Sequence, residues 1–105
     1  MKDNSNAAVS EDDEVISVTL KKVLTTTAGE KITRLDFREP ELGDAIDAEE
    51  NGGGPNQQTA FVLSRMCGIQ FNDFRRIKSA DFNKILDKTV HWLGNGEEDG
   101  EISPS

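Results

Sequence analysis

Hydrophobic positions alternate with polar ones early in the chain and recur every three to four residues late in it. Ile16, Val18 and Leu20 fall on one side of an extended backbone, with Ser17 and Thr19 on the other. This period of two, with β-branched residues, predicts a half-buried strand. Lys21 and Lys22 interrupt the alternation, and Val23 and Leu24 resume it out of certain register, so a bulge or the end of the strand falls there. Thr25 to Glu30 is a polar turn with Gly29 available for positive φ. Ile32 to Phe37 is the return strand, with Thr33, Leu35 and Phe37 on one face. A lone hairpin is marginal in water, so this one needs apolar surface from the helices that follow.

The helical signals begin at the Arg38-Glu39-Pro40 corner. Pro40 disfavours helix at Glu39 and is itself tolerated in a first turn. Glu41 and Asp44 suit the positive end of a helix dipole, and Leu42, Ala45 and Ile46 form an apolar face at helical spacing. Gly43 argues for a short or irregular helix, and residues 42–54 stay open between helix and loop. Asn51-Gly52-Gly53-Gly54-Pro55 reads as a break and a flexible linker. Gln57 to Met66 is a second helix with Phe61, Val62, Met66 and Ile69 on its apolar face, and Gly68 suits its C-terminal cap. Asn72 is placed to cap a brief turn through Phe74 and Ile77, and Ser79 to cap the last helix. That helix carries the most regular stripe in the chain: Phe82, Ile85, Leu86, Thr89, Val90 and Leu93. Gly94 ends it. The predicted fold is α+β: an N-terminal β-hairpin followed by about three short helices, with disordered acidic tails.

Charge separates the tails from the rest. Of the net charge of −8 in 105 residues, residues 1–14 carry −4, with Lys2 against five acids, and residues 95–105 carry −4, with four acids and no base. Residues 15–94 hold 11 basic and 11 acidic side chains and are neutral. The expected organisation is a solvated acidic tail (1–14), one domain (15–94) and a second acidic tail (95–105). A mean hydropathy of −0.59 fits a chain with part of its length outside a core. With no basic surplus to release counterions, nucleic acid is not expected as a partner. No apolar run is long enough to span a bilayer, and the acidic N-terminus does not read as a secretory signal. Cys67 is the single cysteine, which excludes an intrachain disulfide and a cysteine metal cluster and fits a reducing compartment.

Chemistry-bearing residues are sparse. His91 is the single histidine and lies beside the apolar stripe next to Trp92, where a surface or boundary position accounts for it. Cys67 reads as a small apolar residue at a helix end. The acid pairs Asp44/Asp47 and Glu49/Glu50 read as a solvated helix face. The Gly52–Pro55 run lacks the Gly-Lys-Ser/Thr of a phosphate loop. Arg75, Arg76 and Lys78 beside Phe71 and Phe74 make a patch too small to favour RNA stacking. The sequence supplies no catalytic, cofactor or metal site. The remaining class is a binding protein, with Phe71, Phe74, Ile77, Phe82 and Trp92 as candidate partner-binding residues. Within that set, Phe71 and Phe74 bracket a short turn and are the first candidates for exposure.

The run Val18-Thr-Leu-Lys-Lys, a glycine-bearing turn, and Ile32-Thr-x-Leu-x-Phe-Arg38-Glu39-Pro40-x-x-Gly43-Asp44 resembles the tail assembly chaperones of long-tailed bacteriophages, in the Mu-like branch of the E-type family. Ser64-Arg65-Met66-Cys67-Gly68-Ile69 and Asp81-Phe82-x-x-Ile85-Leu86 fit the same outline, so the resemblance covers about residues 15–94. It implies a non-enzymatic protein of the host bacterial cytoplasm. Such chaperones bind the tape measure protein, keep it soluble until tail tube subunits assemble around it, and leave the finished tail. The glycine run and the acidic tails depart from the family pattern. A small structural tail or head-completion protein is the alternative, and a homo-oligomer stays open.

Overall fold

A computed structural model describes residues 14–93. Strand β1 (Val15–Thr25) and strand β2 (Lys31–Arg38) pair antiparallel as a two-stranded sheet, with Ile16 opposite Phe37 and Val18 opposite Leu35. Between Thr19 and Leu24, β1 advances five residues while β2 advances only two, from Arg34 to Ile32. The lysine interruption is therefore a bulge within a continuing strand. Its backbone is satisfied from outside the sheet. The N–H groups of Lys21 and Lys22 donate to the Asp81 carboxylate at 2.9 and 3.1 Å, and Lys84 Nζ donates to the Thr19 carbonyl at 2.6 Å. Leu24 returns to the core beyond the bulge, whereas Val23 faces solvent. Thr33 lies opposite the bulge and is exposed, contrary to its expected place beside Leu35 and Phe37; Ile32 packs on the core instead. Gly29 adopts φ 88° in the turn, closed by Gly29 N–H to Thr26 O at 2.9 Å and Glu30 N–H to Thr26 Oγ1 at 3.1 Å.

The other face of the hairpin carries Ser17, Arg34 and Asp36, which bond to one another in solvent. Four helices follow: α1 (Leu42–Asn51), α2 (Pro55–Cys67), the single-turn α3 (Phe71–Phe74) and α4 (Ser79–Leu93); α2, α3 and α4 cover the inner face, and α1 packs on α2. Val18, Leu20, Leu24, Leu35 and Phe37 from the hairpin meet Leu63 and Met66 from α2, Phe74 from α3 and Ile85 from α4 in one core. The architecture is the expected hairpin followed by helices.

Two helices are rotated from their expected orientation. In α1 the apolar residues Leu42, Ala45 and Ile46 face out, and Asp44 and Ala48 are buried. Asp44 is drawn inward because it accepts hydrogen bonds from Arg38 at 2.9 Å and from the Glu41 N–H at 2.8 Å, and pairs with Arg65 at 3.5 Å. In α4 the buried row is Asp81, Ile85 and Thr89, spaced four apart, and Val90 is 57% exposed. Asp81 sets that rotation by reaching the bulge, and Thr89 Oγ1 satisfies itself on the Ile85 carbonyl at 2.8 Å.

The connections also differ in detail. Gly52–Gly54 form a defined turn in place of the expected linker. Gly52 and Gly53 take φ 89° and 91°, the Gly52 N–H caps α1 on Ala48 and Glu49 carbonyls, and Gln58 bonds back to Gly53 and Gly54 carbonyls. Gly68 ends α2 in the left-handed region, with Ile69 N–H to Ser64 O and Gly68 N–H to Arg65 O, the paired bonds of a Schellman motif. Leu63 is the fully buried centre of α2; the expected Phe61 and Val62 flank it half-buried. The cap of α3 is Gln70, and Asn72 lies exposed inside the turn. The Phe82 N–H bonds to Lys78 O, which places the cap of α4 one residue before Ser79. Gly94 and the acidic tails, Glu14 excepted, lie outside the described residues.

Candidate partner-binding site

The single-turn helix α3 is short because Gly68 has just ended α2 and Ser79 soon opens α4, yet it is firmly placed. Asp73, buried, accepts the Thr27 N–H of the hairpin turn at 2.9 Å. This tie turns Phe74 into the core at 2% exposure, where it meets Phe82 edge-on, ring centres 6.3 Å apart at 77°. It turns Phe71 outward onto Phe61, centres 5.3 Å apart. Between α2, α3 and the start of α4 lies a groove of about 270 Å³, with Ala60, Phe71, Ile77 and Phe82 on its walls and Phe74 beneath. Arg75 stands at its edge with its guanidinium 5.8 Å from the Phe71 ring. Arg76 and Lys78 follow it in sequence and are exposed.

Four of the five residues expected at a partner face thus come together: Phe71, Phe74, Ile77 and Phe82. Trp92 lies apart, in a second groove with Leu93, Val62, Pro40 and Leu42. The expected exposure of Phe74 is corrected, since it is core, while Phe71 is half-buried at the surface. Ser79 at the start of α4 completes the first groove together with Asn56, Gln57 and Ala60, and the sequence pattern does not point to the last three. They are small or polar residues in the first turns of α2, and nothing in their sequence setting marks them as lining.

The Arg38-Glu39-Pro40 corner joins hairpin to helices through Asp44. Arg38 donates to Asp44 with both terminal nitrogens, at 2.9 and 3.4 Å, and also to the Arg65 carbonyl at 3.1 Å. Arg65 bridges Asp44 and Asp47, the latter at 2.8 Å. Arg38, Asp44 and Arg65 lock β2, α1 and α2 together at one point, so the motif is structural. The sequence profile of the phage tail assembly chaperone proteins (E, or 41 or 14) matches residues 17–94. The chain belongs to this family. No curated protein and no solved structure matches the chain.

The match runs from β1 to the end of α4, so both the corner and the aromatic groove of the chaperone lie within it. Membership implies interaction with phage tail proteins, and the family is generally non-enzymatic. The polar groups of the chaperone act as ties between elements. Burial would raise the Asp44 carboxyl, but the Arg38 hydrogen bond, the Glu41 N–H and the two arginine charges outweigh it and hold Asp44 below the usual carboxylate range. Asp81 is also held low, first by the Lys21 N–H. Burial pushes the half-buried Cys67 thiol up to about 12, the opposite of what a nucleophile needs. His91 is exposed, with its ring centre 5.2 Å from that of Trp92 and Nε2 4.0 Å from Glu14. Among the described residues no cluster of three His, Cys, Asp or Glu could hold a metal ion, and no helix is long and apolar enough to cross a membrane.

Proposed function

We propose that this chaperone binds the tape measure protein of its phage and keeps it soluble in the host bacterial cytoplasm until tail tube subunits assemble around it. Family membership carries the reading. The aromatic groove supports it. A long helical protein presents apolar stripes, and a groove walled by Phe71, Ile77 and Phe82 over a fixed Phe74 suits such a stripe. Residues 15–94 act as the binding domain. The two tails, each of net charge −4, add solubility to the complex through mutual repulsion.

Coexpression with the tape measure gene tests this. The expected result is tape measure protein moved into the soluble fraction and co-purifying with the chaperone, and a chaperone missing from purified particles. A tape measure protein that stays insoluble and is not captured overturns it. So does stoichiometric chaperone in finished particles, which identifies a structural subunit.

A further inference from the structure

We propose that the outer face of α1, with the groove it forms against α2 and the end of α4, docks a basic amphipathic helix, as a second surface separate from the aromatic groove. Leu42 is 77% exposed and Ile46 is 44% exposed. They lie four residues apart with exposed Ala45 beside them, so they form one continuous apolar stripe. The stripe borders a groove of about 380 Å³ that continues through Pro40, Val62, Trp92 and Leu93. The rotation imposed by Asp44 keeps this stripe turned outward, away from the core of the chain.

Charge selects the occupant. Helix α1 contains Asp44, Asp47, Glu49 and Glu50 and no base. Asp44 and Asp47 are held by Arg38 and Arg65, whereas Glu49 and Glu50 are exposed and enter no ion pair among the described residues. Exposed Glu41 precedes the stripe. Both ends of the described chain converge near this groove, since Leu93 lines it and Glu14 lies 4.0 Å from His91 two residues earlier. The sequence beyond them, 1–13 and 94–105, is strongly acidic. A helix with lysine or arginine flanking an apolar stripe buries Leu42 and Ile46 and finds opposite charge along its edges. A second copy brings a like net charge of −8. The chain's own C-terminal remainder offers Ile102 as its one large apolar side chain, set among four acids, so it meets like charge here.

The test uses the full chain and a labelled synthetic helix made of leucine and lysine with one apolar stripe. Its controls are the leucine–glutamate counterpart and a scrambled leucine–lysine sequence, with binding read by fluorescence anisotropy at low and raised salt. The leucine–lysine helix is expected to bind, more weakly as salt rises, and the other two to bind poorly. Leu42→Ser with Ile46→Ser weakens binding about tenfold, from the burial lost by two aliphatic side chains. Glu49→Lys with Glu50→Lys also weakens it. All four altered α1 positions are exposed, and an unchanged Tm confirms that the fold is kept. Equal binding of the scrambled peptide, or unaltered binding by the Leu42/Ile46 variant, overturns the proposal. A concentration-dependent dimer abolished by that variant assigns the face to a second copy. Binding gained only after removal of residues 94–105 assigns it to the chain's own tail. The probe contains no tape measure sequence, so its failure and a failed coexpression are separate results.

Discussion

The Asp81 carboxylate accepts the backbone N–H of Lys21 at 2.9 Å across 60 residues of sequence, and its second oxygen accepts that of Lys22 at 3.1 Å. One side chain on the first turn of α4 thus takes up the donors that a bulge would otherwise withdraw from the ladder. It fixes both the rotation of the helix and the shape of the hairpin. A bulge with three more residues on one strand than the other is stable here because a helix supplies its missing acceptors.

Asp81→Ala should lower unfolding free energy by about 2–3 kcal/mol, because it removes charge-assisted bonds and leaves two backbone donors without their acceptor. Asp81→Asn keeps an acceptor oxygen and should lose about half of that. Urea unfolding of the two variants beside the parent checks it. An unchanged midpoint for Asp81→Ala would mean that water satisfies the bulge unaided.

Acid should unfold this protein through a small set of carboxylates. Asp81 is held low first by the Lys21 N–H, Asp44 by its arginines and the Glu41 N–H against the opposing effect of burial, and Asp36 first by the Ser17 hydroxyl. A group whose folded pKa is depressed contributes stability that is present above its unfolded value, about 3.9 for Asp, and lost as pH falls through the folded value. The urea midpoint should be flat from neutral pH to about 5 and drop steeply below about 4. Asp81→Asn should make that drop shallower, since its proton uptake no longer contributes. A midpoint that falls mainly between neutral pH and 5 would assign the loss to other groups.

The Arg38–Asp44 corner should respond to geometry as well as charge. Arg38 reaches Asp44 and the Arg65 carbonyl with one guanidinium, which the point charge of lysine cannot reproduce. Arg38→Lys should destabilise by about 1–2 kcal/mol, and Asp44→Ala by about 2–3 kcal/mol because Arg38 then loses its carboxylate partner and Arg65 keeps only Asp47. A double-mutant cycle should show coupling of about 1 kcal/mol or more. Strict additivity would mean that the corner holds by packing alone.

Cys67 should be inert while the chain is folded. Its thiol, pushed up to about 12 by burial, is neutral at pH 8. Alkylation at pH 8 should be slow in buffer and fast in denaturing urea, where the pKa returns toward the ordinary value near 8.5. Equal rates in the two conditions would show that the end of α2 opens readily.

Elements and turns with a local cause were legible in the sequence. The alternation of Ile16, Val18 and Leu20 could satisfy only a strand, and Gly29 and Gly68 stand where the chain needs positive φ. The rotations of α1 and α4 were not legible. Leu42, Ala45 and Ile46 define a stripe but carry no information about which way it faces. That was decided by Asp44, an acid that finds arginines on two other elements. Asp81 likewise reads as an ordinary first-turn acid until the bulge is placed beside it. Long-range pairing of a polar side chain with backbone donors leaves no periodic trace, so residues that the hydrophobic pattern assigned to the core came out exposed. The aromatic groove was half legible for the same reason. Phe71, Phe74, Ile77 and Phe82 cluster because they are close in sequence, whereas the separation of Trp92 depends on the helix packing.

Within that groove, wall and floor should separate function from stability. Phe74 is 2% exposed and joins the core from both strands and three helices. Phe74→Ala should destabilise by about 3–5 kcal/mol and abolish binding through loss of fold. Phe71 and Ile77 are half-buried on the wall, so Phe71→Ser and Ile77→Ser should each shift stability by about 1–2 kcal/mol at most. They should also reduce the soluble tape measure protein recovered on coexpression while the chaperone itself stays folded and abundant. Thermal melts read beside the coexpression yields distinguish the two effects. If both wall variants recover tape measure protein at the parent level, the aromatic groove is not the surface that holds it, and the exposed stripe of Leu42 and Ile46 becomes the surface to test.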